Sequence, residues 1–326
     1  MNEQSMECHV LVTSISRKIP LIQSVRKAIK KIPGRGIIHG GDIDNKCIGK
    51  FFSDHFWEMP PIEKLTVKQL ISYCHLHDIT IIIPTRDKEL PFFARWASRL
   101  REQNIEVMIS PPDCIDLCVD KLRFGSLKWN RGPCRIIPTY SSAEELEATG
   151  LVVKERFGSG SRSILINVDQ MKAIQQAKSM VEPVFQPFIA GNEFSIDVFI
   201  TKGGNIKGCI VRKRDLVVNG ESQVTTTVRH NILENGVADL CKELGMRGHV
   251  VLQSIEDSQG NCHIIECNCR FGGASTLSIS AGLDTFYWFL LESLGQDLTD
   301  YPFCRTNKEL RQIRFPQDMV IYDTSF

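Results

Sequence analysis

The chain has 326 residues, the length of two ordinary domains or of one large α/β unit with a cleft. Its 39 Lys+Arg against 38 Asp+Glu leave a net charge of +1, which offers no whole-chain field to draw the protein onto nucleic acid or an anionic membrane. A composition of 42% hydrophobic and 24% charged residues excludes disorder as the main theme, and the longest apolar run, Phe286 to Leu291, falls far short of the roughly 20 residues that span a bilayer.

The opening segment MNEQSMECHVLVTS lacks the basic and apolar regions of a secretion signal, so a cytoplasmic location is expected. The 12 cysteines follow no framework spacing, which predicts free thiols acting mostly as small buried hydrophobes.

His9 to Thr13 reads as a strand, and Leu21 to Ile32 has the apolar spacing of a helix. A second strand, Gly36 to His39, runs into Gly40, Gly41 and Asp42. A helix over Thr66 to His77 leads through Asp78 to the strand Ile79 to Ile83. A further helix, Leu90 to Gln103, precedes the strand Ile105 to Ile109, which Pro111 and Pro112 stop. This alternation predicts a parallel, doubly wound α/β domain over residues 1–112.

Beyond the proline pair a helix is expected near Asp116 to Trp129. Strands then dominate: Leu151 to Lys154, Ser163 to Asn167, Glu193 to Thr201, Lys207 to Arg214, Val224 to Val228, Val250 to Ile255 and His263 to Asn268. Helices are expected near Gln170 to Met180 and Ile232 to Leu244. Residues 113–326 therefore read as an α+β domain with a mostly antiparallel sheet.

Three segments carry chemistry. In VVKERFGSGSRSI, Lys154 precedes a loop of Gly158, Ser159, Gly160, Ser161 and Arg162, whose small residues let backbone N–H groups close on phosphate oxygens. A ligand-free Gly/Ser hairpin has the same composition. The lysine stands before the glycines and a strand follows, so the loop is no Walker P-loop. In CHIIECNCRFGG, strand alternation places Cys262, Ile264, Glu266, Asn268 and Arg270 on one face and His263, Ile265, Cys267 and Cys269 on the other. A carboxylate and an amide oxygen two residues apart suit Mg²⁺, and Gln253 joins them if the two strands form a hairpin. Arg270 is then placed to neutralise a phosphoryl group. A soft-metal site from Cys262, His263, Cys267 and Cys269 is disfavoured, because Cys262 faces away from the other cysteines. In FQPFIAGNEFSIDVF, an extended stretch can bond a purine edge and Glu193 can reach ribose hydroxyls.

The order of lysine and glycine loop, Glu193, Gln253 and Glu266-x-Asn268-x-Arg270 resembles the ATP-grasp superfamily, and more narrowly a single module of the carbamoyl-phosphate synthase large subunit. The likeness covers essentially the whole chain, including VLVTSISRKIP, GGDID, IIIPTRDKEL and the stretch Cys118-Val119-Asp120-Lys121. It implies a pre-ATP-grasp α/β front domain, then an ATP-grasp domain with a Gly-rich lid over about 136–185. It also implies that Lys121 and Lys154 contact ATP, that Gln186, Phe188 and Ile189 hold the adenine, and that Glu193 binds ribose. Gln253, Glu266 and Asn268 would hold Mg²⁺, with Mn²⁺ as a substitute, and Arg270 would sit at the γ-phosphate. Glu155 and Ser163 depart from the residues usual in such lids, as do Cys267 and Cys269 in their strand.

The turn after the first strand lacks the glycines of a dinucleotide site. The rim formed by Ser14, Ser16, Arg17, Asp42, Thr85, Arg86, Asp87 and Glu89 is the expected acceptor-substrate side. A network tying loops together accounts equally well for Asp87 and Glu89. Lys213 and Arg214 are further substrate candidates, whereas His75 and His77, two apart on a helix, are not expected as ligands. The expected activity is an ATP- and Mg²⁺-dependent ligase joining a small-molecule carboxylate to an amine or thiol through an acyl-phosphate, with Lys154 and Arg270 stabilising charge. The alternative is an inactive ATP-binding sensor or interaction module. No nucleic-acid or membrane partner is expected, and homodimerisation is left open.

Overall fold

The computed structural model describes residues 8–34, 36–158 and 163–320. The front part runs β1 (Cys8–Thr13), α1 (Ile19–Ile29), β2 (Gly36–Asp42), β3 (His55–Glu58), α2 (Val67–Leu76), β4 (Ile81–Ile83), α3 (Leu90–Arg101) and β5 (Glu106–Val107). Its five strands are all parallel, in the order β3-β2-β1-β4-β5. Alternation along β1 sends Val10 and Val12 toward α1 and Leu11 toward α2 and α3, so both faces of the sheet are covered. α1 starts at a proline-bearing first turn and buries the stripe Leu21, Ile22, Val25, Ala28 and Ile29. The start of α2 is fixed by a reciprocal Thr66/Gln69 capping box.

The rest runs α4 (Pro112–Val119), α5 (Lys121–Gly125), β6 (Asn130–Arg131), β7 (Cys134–Ile136), β8 (Leu151–Glu155), β9 (Leu165–Val168), α6 (Gln170–Ala177), β10 (Pro183–Pro187), β11 (Asn192–Ile200), β12 (Ile206–Val218) and β13 (Glu221–Val228). It continues with α7 (Asn231–Glu243), β14 (Gly248–Glu256), β15 (Cys262–Asn268), α8 (Thr276–Ser280), α9 (Thr285–Ser293) and β16 (Arg311–Ile313). An eight-stranded sheet, β16-β13-β12-β11-β14-β15-β7-β6, is antiparallel except where β15 meets β7. A separate antiparallel sheet, β10-β8-β9, packs with α6 over a small core of its own that includes Leu151, Val153, Ala173 and Phe185.

Two expectations change. The single helix from Asp116 to Trp129 is two helices that break at Asp120, whose extended backbone and carboxylate cap the N–H groups of Leu122 and Arg123 at 3.0 and 3.2 Å. Pro112 opens the first of them instead of ending a strand. The second change is in β15. Gln253 pairs with Glu266 but Ser254 pairs with Ile264, so Ile265 is an extra residue. The bulge reverses the alternation, and Cys262 and Ile264 lie in the same core as Cys267 and Cys269, not on the face of Glu266.

No helix among the described residues is long and apolar enough to cross a membrane.

Candidate functional site

A pocket of about 630 Å³ lies between the three-stranded sheet and one face of the eight-stranded sheet, within the usual size range of small-molecule sites. β8 supplies Lys154, which is buried at 7% exposure. Burial lowers its ammonium to about 8, while Glu266 pulls it back up and Lys121 adds to the depression. Lys121, at the first turn of α5, donates to the Gly158 carbonyl at 2.7 Å and so ties that helix to the start of the loop. The Asp120 carboxylate holds Arg156 by two hydrogen bonds, Nε to Oδ1 at 2.8 Å and NH2 to Oδ2 at 2.6 Å. Residues 159–162, and with them Ser159, Gly160, Ser161 and Arg162, lie outside the described residues. Ser163, at φ +53°, has the left-handed backbone that glycine adopts without strain.

On β10, Gln186 pairs with Val152 of β8 and lines the pocket together with Phe188 and Ile189. Gln186 is buried and donates from Nε2 to Thr139 Oγ1 at 2.8 Å. Thr139 approaches so closely that a Cβ on Gly125 would fall 1.8 Å from its Oγ1, so Gly125 is needed for that approach. Glu193, half exposed at the head of β11, faces Arg214 Nε at 3.3 Å.

Gln253, Glu266, Asn268 and Arg270 line the same wall. Glu266 Oε1 accepts from Gln253 Nε2 at 2.9 Å and from Asn268 Nδ2 at 3.2 Å. Arg270 donates to Asp87 twice, from Nε at 2.7 Å and NH2 at 2.5 Å, a bidentate pair that crosses from the second sheet to the front domain. Burial works to lower the Arg270 pKa, but the Asp87 carboxylate more than reverses this and holds it up.

Arg214 lines the pocket, but Lys213 does not, because alternation along β12 turns it to the other face. Arg17 and Arg86 are exposed and stand outside the pocket. Glu89 is buried and accepts from Thr13 Oγ1, Ser14 Oγ, Thr85 N and Arg86 N at 2.7–2.9 Å, the loop-tying network weighed for it. Asp42 is engaged likewise, by Ser16 N and Asp44 N at 2.7 and 3.1 Å.

Two cations were not picked out from the sequence. Arg212, at 2% exposure, lines the pocket and pairs with Asp197 at 2.5 Å. Its spacing of two from Arg214 on one strand was the available signal. Lys18 donates to the Thr85 carbonyl and Oγ1 at 2.8 and 2.6 Å. Burial lowers it to about 8, with Glu89 and Asp87 acting to raise it and Arg270 and Arg86 to lower it.

This donor set fits a nucleotide with a divalent cation. The buried NH1 of Arg212 has no hydrogen-bond partner among the described residues, an orphaned cationic donor on the pocket wall that an anion would satisfy. One carboxylate and two amide oxygens beside it are the hard ligands of Mg²⁺.

Residues 179–314 match the family model described as ATP-grasp in the biosynthetic pathway with Ter operon, and residues 10–108 match the PylC-like N-terminal domain. A comparison with curated proteins found no match. Among solved structures, the biotin carboxylase domain of Hydrogenobacter thermophilus 2-oxoglutarate carboxylase, in complex with MgADP, ADP and bicarbonate, is similar at 18% identity and TM-score 0.75, over 94% of this chain and 74% of that one. Biotin carboxylase from Campylobacter jejuni, as a β-γ-ATP complex, gives 15% and 0.74 over 94% and 75%. N5-carboxyaminoimidazole synthetase from Staphylococcus aureus, complexed with ADP, gives 16% and 0.67 over 91% and 80%. At these identities the solved structures speak for the fold, and the two family matches place an ATP-grasp segment over residues 179–314 behind a PylC-like front domain over residues 10–108.

Proposed function

We propose that the protein is an ATP-dependent ligase that activates a small-molecule carboxylate for attack by an amine or thiol. The observation that carries this reading is the convergence on one pocket of Lys154 and Gln186 from the three-stranded sheet with Arg212, Arg270 and the trio Gln253, Glu266 and Asn268 from the eight-stranded side. ATP is a substrate in this scheme. Gln186, Phe188 and Ile189 hold its adenine, Glu193 its ribose, and Lys154, Lys121 and the loop from Gly158 to Arg162 its phosphates. Bound Mg²⁺, or Mn²⁺ in its place, would neutralise phosphate charge, and Glu266 with the amide oxygens of Gln253 and Asn268 would hold it.

Lys154 and Arg270 stabilise the charge that builds as the γ-phosphoryl passes to the carboxylate. Asp87 orients the Arg270 guanidinium through its bidentate pair. The substrate carboxylate becomes an acyl-phosphate, and the incoming amine or thiol displaces phosphate from it. The lid around Gly158 keeps water from that intermediate. Positioning and charge suffice for these steps, so no nucleophile–base pair is called for.

A second reading, a nucleotide-binding module without ligase activity, draws on the engagement of Arg270 by Asp87, which occupies the face of the guanidinium best suited to a phosphoryl group. An ADP-release screen across carboxylates paired with amines, run with hydroxylamine, distinguishes the two. The ligase reading expects carboxylate-dependent ADP release and a trapped hydroxamate. Glu266→Gln should lower turnover at least a hundredfold with the fold intact by circular dichroism. Parent-like turnover in that variant would remove the metal assignment, and nucleotide binding without ADP release from any acceptor would favour the second reading.

A further inference from the structure

The reverse face of the strand that carries the proposed Mg²⁺ ligands holds a concentration of sulfur. Cys114 and Cys118 stand one turn apart on α4, and Cys267 and Cys269 stand two apart on β15 and the residue beyond it. All four are buried, at 3–7% exposure. The Sγ atoms of Cys114, Cys118 and Cys269 lie within 4.8 Å of one another. Cys267, two residues before Cys269 in the same core, stands outside that group of three, and its Sγ is 3.9 Å from Met246 Sδ. Cys262 is excluded from the group. It lies against Cys134, while its neighbour His263 is engaged by Asp257 at 2.9 Å.

We propose that Cys114, Cys118 and Cys269 form the core of a thiolate site for a soft divalent cation of the zinc type, which Cys267 completes by side-chain rotation. Two ligands from one helix face converge with one from the facing strand, and Cys267 beside them would supply the fourth thiolate of a closed site. Sulfurs about 2.3 Å from a tetrahedral ion stand roughly 3.8 Å apart, so the three converged sulfurs need only a small contraction and Cys267 a larger side-chain rotation. Small hydrophobes filling a core have no reason to converge, yet three of the chain's 12 cysteines meet here with a fourth beside them. Each thiol gives its proton to solvent as it binds the ion. The ion would fasten α4 to β15 directly behind Glu266 and Asn268, so it acts as a structural clamp on the catalytic strand and touches no nucleotide.

The test needs neither ATP nor Mg²⁺, so its failure is separate from failure of the ligase reading. Untagged protein should contain about one equivalent of zinc per chain by elemental analysis. Co²⁺ added to the metal-stripped, reduced parent should give thiolate charge-transfer absorption that saturates at one equivalent. Cys262→Ser should keep both properties, and the double variant Cys114→Ser/Cys269→Ser should lose both. If the double variant does not fold, the Co²⁺ titration of the parent decides. The proposal is overturned if the folded, reduced parent gives no thiolate–Co²⁺ absorption, if the folded double variant retains the metal, or if non-reducing mass analysis finds these cysteines joined as disulfides.

Discussion

Burial of Lys154 beside Glu266 leaves its ammonium titrating near pH 8, well below an ordinary lysine. Between about 8 and 10.5 the unfolded chain then binds more protons than the folded one, so stability rises with pH across that window, by about 3 kcal/mol from this group. Lys18 titrates in the same range and adds a similar contribution. If Lys154 meets the phosphates as proposed, ATP affinity should move the other way, because that charge is lost. Calorimetric titration is expected to give binding roughly tenfold weaker at pH 9.5 than at 7.5, with Lys154→Arg much less pH-dependent because a guanidinium stays charged. An equal decline in both proteins would remove Lys154 from the phosphate site. The sequence marked Lys154 through its place before a glycine loop. It could not supply the burial that sets the pKa, which depends on β10 and on Glu266 some 110 residues away.

At the scale of the element, β11, β12 and β14 carry a buried polar cluster that positions the pocket wall. Asp197 is fully buried and accepts from Arg212, His249, Ser275 and Ser278. Burial alone would raise its carboxyl, but the Arg212 charge and the His249 hydrogen bond more than reverse this and hold it well below the usual range. Its stabilising contribution is therefore complete above the ordinary carboxylate range and is lost as pH falls below it. Asp197→Ala strands the Arg212 charge in the core and is expected to cost about 3–5 kcal/mol in urea unfolding. A loss under 1 kcal/mol would mean that Arg212 finds another partner or reaches water. This cluster was illegible in the sequence because its members come from strands and a helix up to 81 residues apart. The alternation of β15 was misread for a related reason. A bulge is a property of two paired strands, and only the pairing with β14 reveals the extra residue Ile265.

Across the whole molecule, the core on one side of the front sheet continues into the C-terminal helices. Val10, Val12, Ile22 and Val25 share a cluster with Phe286, Trp288 and Leu290 of α9. The proposed domain boundary, between residues 112 and 113, falls in a chain whose two parts are fastened by this shared core and by the Asp87–Arg270 pair. Residues 1–112 alone would expose the α1 face that α9 covers. That fragment is expected to bind a hydrophobic dye and to unfold without a sharp transition. A cooperative melt like that of the full chain would show that the front core is sufficient by itself.

What the sequence determined by itself was local and periodic. The strand and helix alternation of the front part follows from apolar spacing, and the β14–β15 hairpin follows from two strand-like runs on either side of a turn, although the bulge at Ile265 is what sets Gln253 opposite Glu266. The order of the motif residues along the chain was equally readable. Only the tertiary structure decided which charges are spent. Asp87 holds Arg270, Glu89 and Asp42 tie loops, Lys213 turns away, and Arg212 keeps a free donor toward the pocket. It also decided that Cys269 meets Cys114 and Cys118, with Cys267 in the same core. Periodicity sets which face a side chain takes, whereas its partner is set by packing between elements far apart in the chain, and short-range pattern carries no record of that packing.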